Sequence, residues 1–286
     1  EELFEADLSA FFVPTGTAAN TLALASLIEP WEHILCQAHA HIAVDESTGP
    51  EILTRCRVVP IETETSKLTP EDIRRHDNAF GRGVHQTQPG AVSITNPTEL
   101  GEVYTPEEVA ALADTAHRLG YRFHMDGARL PNALAWLGCA PREQTVEAGV
   151  DALSFGGTKN GLACGEAVLF FPQGDGTIAA RAAQRFPFLR KSTGHLISKM
   201  RFVSAPFAAV LEDDAWLSHA THANDMAQRL EAKLAEAGIL PLFPVQSNGV
   251  FVSISKATHE GLLAKNYEFY IHGPAEWYCA RFMMCF

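Results

Sequence analysis

Short apolar runs alternate with capped helical stretches through the first two thirds of this chain, and no other feature narrows its fold so far. The runs at residues 33–36, 57–61, 91–95, 121–125, 151–155 and 166–171 read as buried strands, too apolar to leave one face in water. Helices are signalled between several of them. Thr69 and Thr105 each offer an N-cap hydroxyl, with proline next and an acid three residues on, Asp72 and Glu108. Gly120 should stop the second of these helices, and Gly138 and Gly149 should close two more helical segments. This alternation predicts an α/β fold with a mostly parallel central sheet.

From about residue 191 the pattern changes. A long helical stretch is expected over 195–237, broken near Pro206 and around Asp213 and Asp214. Strand-like 249–254, a short helix around 257–265 and strand-like 280–286 follow. The expected division is a large α/β domain over residues 1–190 and a smaller α+β domain over 191–286. The chain opens without methionine and stops on an apolar run, so both ends are expected to be trimmed.

Composition excludes several classes of function. With 286 residues and 47% hydrophobic content the chain can bury a large core. A formal net charge of -12 with no basic run argues against a nucleic-acid partner. No stretch is apolar for long enough to span a bilayer, and no secretion signal opens the chain. The six cysteines are scattered without a C-x-x-C pair, which fits free thiols in a reducing cytoplasm.

Two segments together point to a pyridoxal 5'-phosphate (PLP) site. Asp126 closes one apolar strand, and Lys159 sits in a Gly-rich turn after the next, Ser154-Phe-Gly-Gly-Thr-Lys159-Asn-Gly161. Such a lysine can form a Schiff base with the cofactor aldehyde. The aspartate, at the strand end where α/β ligands bind, can keep the pyridine nitrogen protonated. Thr15, Gly16 and Thr17 open an Ala/Leu-rich helix whose free N–H groups suit a phosphate. Taken singly, these are a turn aspartate, a surface lysine and a capped helix; their conjunction favours the cofactor. Neither a P-loop nor a G-x-G-x-x-G run is present.

Other residues carry open alternatives. Arg129 could clamp a carboxylate or pair with a surface acid, and Arg281, inside an apolar strand, needs a partner such as a substrate carboxylate. His39 and His41 share one side of an extended segment, but no third ligand stands at metal-binding spacing, so no metal is expected. An imidazole stacked on a planar cofactor is the better reading for one of them. His85 is either a plain loop residue or one that reaches the substrate. Lys199 and Arg201 form either a solvated basic face or a second phosphate anchor, serving this or a neighbouring subunit.

In order along the chain, Pro14 to Asn20, Ala40 to Glu46, Ser93 to Gly101, His124 to Arg129, Ser154 to Gly161, Gly194 to Arg201 and Arg281-Phe resemble the low-specificity L-threonine aldolases. These are fold-type-I PLP enzymes of the β-eliminating-lyase group, and the phenylserine-aldolase branch is the most similar. The resemblance implies that Lys159 is the Schiff-base lysine, that Asp126 partners the pyridine nitrogen and that His41 stacks on the ring and is a candidate base. It further implies that Gly16 and Thr17 bind phosphate, with Lys199 or Arg201 supplementing them, and that Arg129 and Arg281 hold the substrate carboxylate. Where the broader family places a histidine at the substrate hydroxyl, this chain has Glu99, and His85 stands as a replacement. The implied reaction is cleavage of a β-hydroxy-α-amino acid to glycine and an aldehyde in a homodimer or homotetramer. The alternatives are a β-eliminating lyase on another amino acid, or a truncated, non-catalytic PLP-binding homologue.

Overall fold

Seven strands form the main sheet of the computed structural model, which describes residues 1–77, 83–172, 174, 176–272 and 278–286. They are β1 (Ser9–Val13), β2 (Glu32–Gln37), β3 (Arg57–Ile61), β4 (Gln88–Thr95), β5 (Arg122–Gly127), β6 (Ala152–Gly156) and β7 (Glu166–Phe170). Their order is β1-β7-β6-β5-β4-β2-β3. Strands β2 to β6 run parallel, and β7 lies antiparallel to both β6 and β1. The expected mostly parallel sheet is therefore present, with β7 as its reversed member.

Helices cover both faces of this sheet. They are α1 (Gly16–Leu27), α2 (His41–Val44), α3 (Gly49–Thr54), α4 (Pro70–Asp77), α5 (Pro106–Arg118), α6 (Leu130–Leu137), α7 (Pro141–Gln144) and α8 (Ile178–Ser192), followed by α9 (Arg201–Leu211), α10 (Ala215–Glu236) and α11 (Lys256–Leu263). Strand side chains alternate between two cores. Leu35, Val92, Phe123, Met125, Leu153 and Phe155 pack with α5, α6 and α10. Ile34, Cys36, Ala91, Ala152 and Phe170 pack with α1 and α8. By the same alternation Ser93, His124, Asp126 and Ser154 face α1, forming a polar row at the C-terminal ends of parallel strands.

A second sheet of three antiparallel strands takes the order β8-β10-β9, from β8 (Gly249–Ser253), β9 (Tyr270–His272) and β10 (Cys279–Met283). Val250, Val252 and Ala280 make its small core with Ala227 of α10.

Several local expectations need correction. Residues 195–200 are not helical, and α9 begins only at Arg201. Pro206 lies inside α9 without ending it, although its missing N–H forfeits one backbone bond; its neighbour Phe207 is buried. The break does come at Asp213 and Asp214, whose φ of 52° and 54° no right-handed helix accepts. Gly149 closes a turn, because α7 already ends at Gln144. Helix α8 and strand β9 lack a clear periodic signal, α8 because Pro187 interrupts its pattern.

The Thr105 capping box is formed. Its Oγ1 accepts the Glu108 N–H at 3.3 Å, and Glu108 Oε2 accepts the Thr105 N–H at 2.8 Å. Thr105→Ala should cost about 1 kcal/mol in chemical denaturation, with no change in the shape of the transition.

Candidate active site

The C-terminal ends of β2, β4, β5 and β6 converge on one cleft with two adjoining lobes. The outer lobe, about 260 Å³, is lined by His39, Glu99, Arg129, Arg281 and His272 among others. The inner lobe, about 140 Å³, is lined by Gly16, Thr17, Asn20, Ser154, Thr158 and Glu166 among others. His41, Asp126, Ala128 and Lys159 border both. The residues flagged in the sequence at positions 16, 17, 41, 99, 126, 129, 159 and 281 are thus brought together.

Close approach of two turns makes this possible. A Cβ on Gly156 would lie 2.2 Å from the Ala128 carbonyl oxygen. Only glycine lets the segment carrying Lys159 meet the segment that follows Asp126.

Asp126 is buried, with one hydrogen bond to each carboxylate oxygen. Its Oδ1 accepts the Ala128 N–H at 2.9 Å, and its Oδ2 accepts an amide N–H of Asn20 at 2.7 Å. Beneath it His124, also buried, lies 2.9 Å from Ser93 Oγ and 3.0 Å from Ser154 Oγ. Burial pushes the His124 ring down to about 4, so it stays neutral.

Lys159 is exposed, but into the cleft rather than to the outer surface, and the surrounding protein lowers its pKa. Desolvation is the main cause and the Arg129 guanidinium the next, opposed by Asp126 and Glu166. The turn below it is anchored by Glu166, whose carboxylate accepts the Gly157 N–H at 2.5 Å and the Thr158 hydroxyl.

Arg129 and Arg281 face the outer lobe as a cationic pair. Burial brings Arg129 down to about 10, and Arg281 adds to the shift. Each has a buried Nε without a partner among the described residues. Two such groups call for an anion.

Glu99 borders the same lobe. Its Oε1 accepts the His41 N–H at 2.8 Å and the Thr95 hydroxyl at 3.0 Å. Enclosure, then the nearby Asp126, pushes its carboxyl up to about 7. The folded state therefore holds this proton where the unfolded chain has lost it, and stability should fall as pH rises from 4.5 to about 7. Glu99→Gln keeps the acceptor oxygen and removes the titration. Denaturant midpoints at several pH values should show the variant gaining on the parent across that window.

Not every flagged residue reaches the cleft. His85 is exposed on the single turn Gly83–His85 and lines neither lobe. Lys199 and Arg201 are exposed at the start of α9 and also line neither lobe. Thr15 uses its hydroxyl to accept the Ala18 N–H at 3.2 Å, which caps α1 and leaves Gly16 and Thr17 to border the lobe. Asn20, Glu46, His272 and Glu166 were not expected at the site. Only Glu166 had a usable signal, since a charge inside the apolar strand Glu166–Phe170 needs partners.

A family model described as beta-eliminating lyase matches residues 1–257. Low specificity L-threonine aldolases from a Pseudomonas species and from Pseudomonas aeruginosa are each 44% identical over 285 residues, covering 98% of this chain and 80% of theirs. A solved threonine aldolase from Leishmania major superposes with a TM-score of 0.90 at 26% identity, covering 99% of this chain and 81% of that one.

Proposed function

Because this chain belongs to the beta-eliminating lyase family, we propose that it is a PLP-dependent aldolase cleaving β-hydroxy-α-amino acids of the threonine or phenylserine type to glycine and an aldehyde. The observation that carries this reading is Lys159 and Asp126 bordering the same two lobes, with Arg129 and Arg281, whose Nε atoms have no partner among the described residues, in the outer one.

The residues present fit PLP. Lys159 supplies an amine with a lowered pKa for the aldehyde. Gly16 and Thr17, at the N-terminus of α1, would hold the phosphate. Asp126 would hold the proton on the pyridine nitrogen. When bound, PLP supplies an aldehyde that takes up an amine and a ring that accepts the electrons released at Cα.

The protein's own groups do the rest. Arg129 and Arg281 bind the substrate carboxylate and so set the direction of the Cα–Cβ bond. His41 takes the β-hydroxyl proton, and the aldehyde leaves as that bond breaks. Glu99 fixes the His41 backbone and borders the substrate side of the lobe.

Residues 1–190 would be the cofactor-holding unit, and 191–286 the unit that contributes Arg281. A cytoplasmic homo-oligomer is part of the same reading. Exposed Phe202, with the Arg201 guanidinium 5.6 Å from its ring centroid, offers an apolar and basic face to a second copy. No helix among the described residues is long and apolar enough to cross a membrane.

The test is incubation with threonine and with phenylserine. Glycine plus the matching aldehyde is expected. Ammonia and a keto acid would overturn the aldolase reading in favour of β-elimination.

A further inference from the structure

Behind the cleft, four side chains form one continuous hydrogen-bonded row. His41 Nδ1 lies 2.9 Å from Glu46 Oε1. That oxygen also accepts one amide N–H of Asn20 at 2.8 Å, and Asn20 gives its other N–H to Asp126 Oδ2 at 2.7 Å. Asn20, Glu46 and Asp126 are all buried. The amide orientation is dictated by chemistry, because a flip would aim its carbonyl at two carboxylates. Asn20 Oδ1 and Glu46 Oε2 have no partners among the described residues, so this row accounts for the hydrogen bonds of both side chains.

The row joins α1, the turn after α2 and the end of β5. The charged groups around the His41 ring are Glu46 from that turn, Asp126 from β5 and Lys159 from the turn after β6, while Glu99 grips its backbone. Of these only Glu46 bonds the ring directly. With Nδ1 held inward, Nε2 is the nitrogen left for the cleft. His41 is pushed up chiefly by that bond, and Glu46 is pushed up by its burial, so the pair retains a shared proton to higher pH.

We propose that Glu46 and Asn20 are positioning residues. Glu46 fixes His41 with Nδ1–H inward and Nε2 toward the cleft, and Asn20 ties that carboxylate to Asp126, so both sides of the site hold protons as one unit. The proposal rests on the aldolase reading for its purpose, but its test does not depend on turnover.

Nitrogen-15 NMR of the cofactor-loaded full chain should show neutral His41 as the Nδ1–H tautomer; the Nε2–H tautomer would overturn the proposal without any variant. Glu46→Gln should lower the His41 midpoint by about one pH unit or more, and Glu46→Asp should restore part of it. An unchanged midpoint in Glu46→Gln would overturn it. Asp126→Asn should also lower the midpoint, by less when Asn20 is alanine. An equal effect in both backgrounds would remove the bridge. Loss of visible cofactor absorbance in the parent protein would count against PLP, whereas the histidine measurements decide the row independently.

Discussion

Lys159→Ala should abolish the visible absorbance of lysine-bound PLP and cut cleavage of β-hydroxy-α-amino acids by roughly 10³-fold or more. Lys159 borders both lobes, and desolvation and Arg129 lower its pKa, so more of it is neutral and nucleophilic near pH 7 than for a surface lysine. Alanine removes that amine without disturbing the Glu166 anchor on Gly157 and Thr158. The fold should therefore survive. Circular dichroism and the denaturation midpoint should stay near those of the parent while absorbance and turnover disappear. Unchanged absorbance in a folded variant would sink the assignment.

Asp126→Asn should be nearly as damaging by a different route. Asn keeps the size of the side chain and leaves an oxygen to accept the Ala128 N–H. It removes the charge that would pair with the pyridine nitrogen, and it sets two amide groups against each other at Asn20. Losing one partner of a buried charge pair costs about 3–5 kcal/mol. Felt at the transition state, that is a loss of roughly 10²–10⁴-fold. The visible band of the bound cofactor should shift with it. Turnover within about threefold of the parent, with the band unmoved, would show that Asp126 does not face the ring nitrogen.

Much of the architecture was legible because it is written in local patterns. Apolar runs announce β2 to β7, and the Thr105 box and Gly120 bound α5 from both sides. The turn around Lys159 was visible because glycine at 156 and 157 is a backbone requirement that any reader of the chain can see. Helix α8 and the true start of α9 were harder, since Pro187 and Pro206 are tolerated there by tertiary packing that local rules do not weigh. His85, Lys199 and Arg201 looked as plausible as His41 or Arg129. Nothing in their neighbours along the chain says which way a side chain will face.

The sequence by itself determined the α/β alternation, the capped helices and the candidate lysine, aspartate and arginines, because propensity, capping and apolar period act over a few residues. Only the tertiary structure decided that Asn20, Glu46 and Asp126 share one buried row, and that Glu99 and His41 meet. Those contacts join residues 26, 106 and 58 positions apart. Their chemistry comes from burial and from partners that exist only once the strands are stacked side by side.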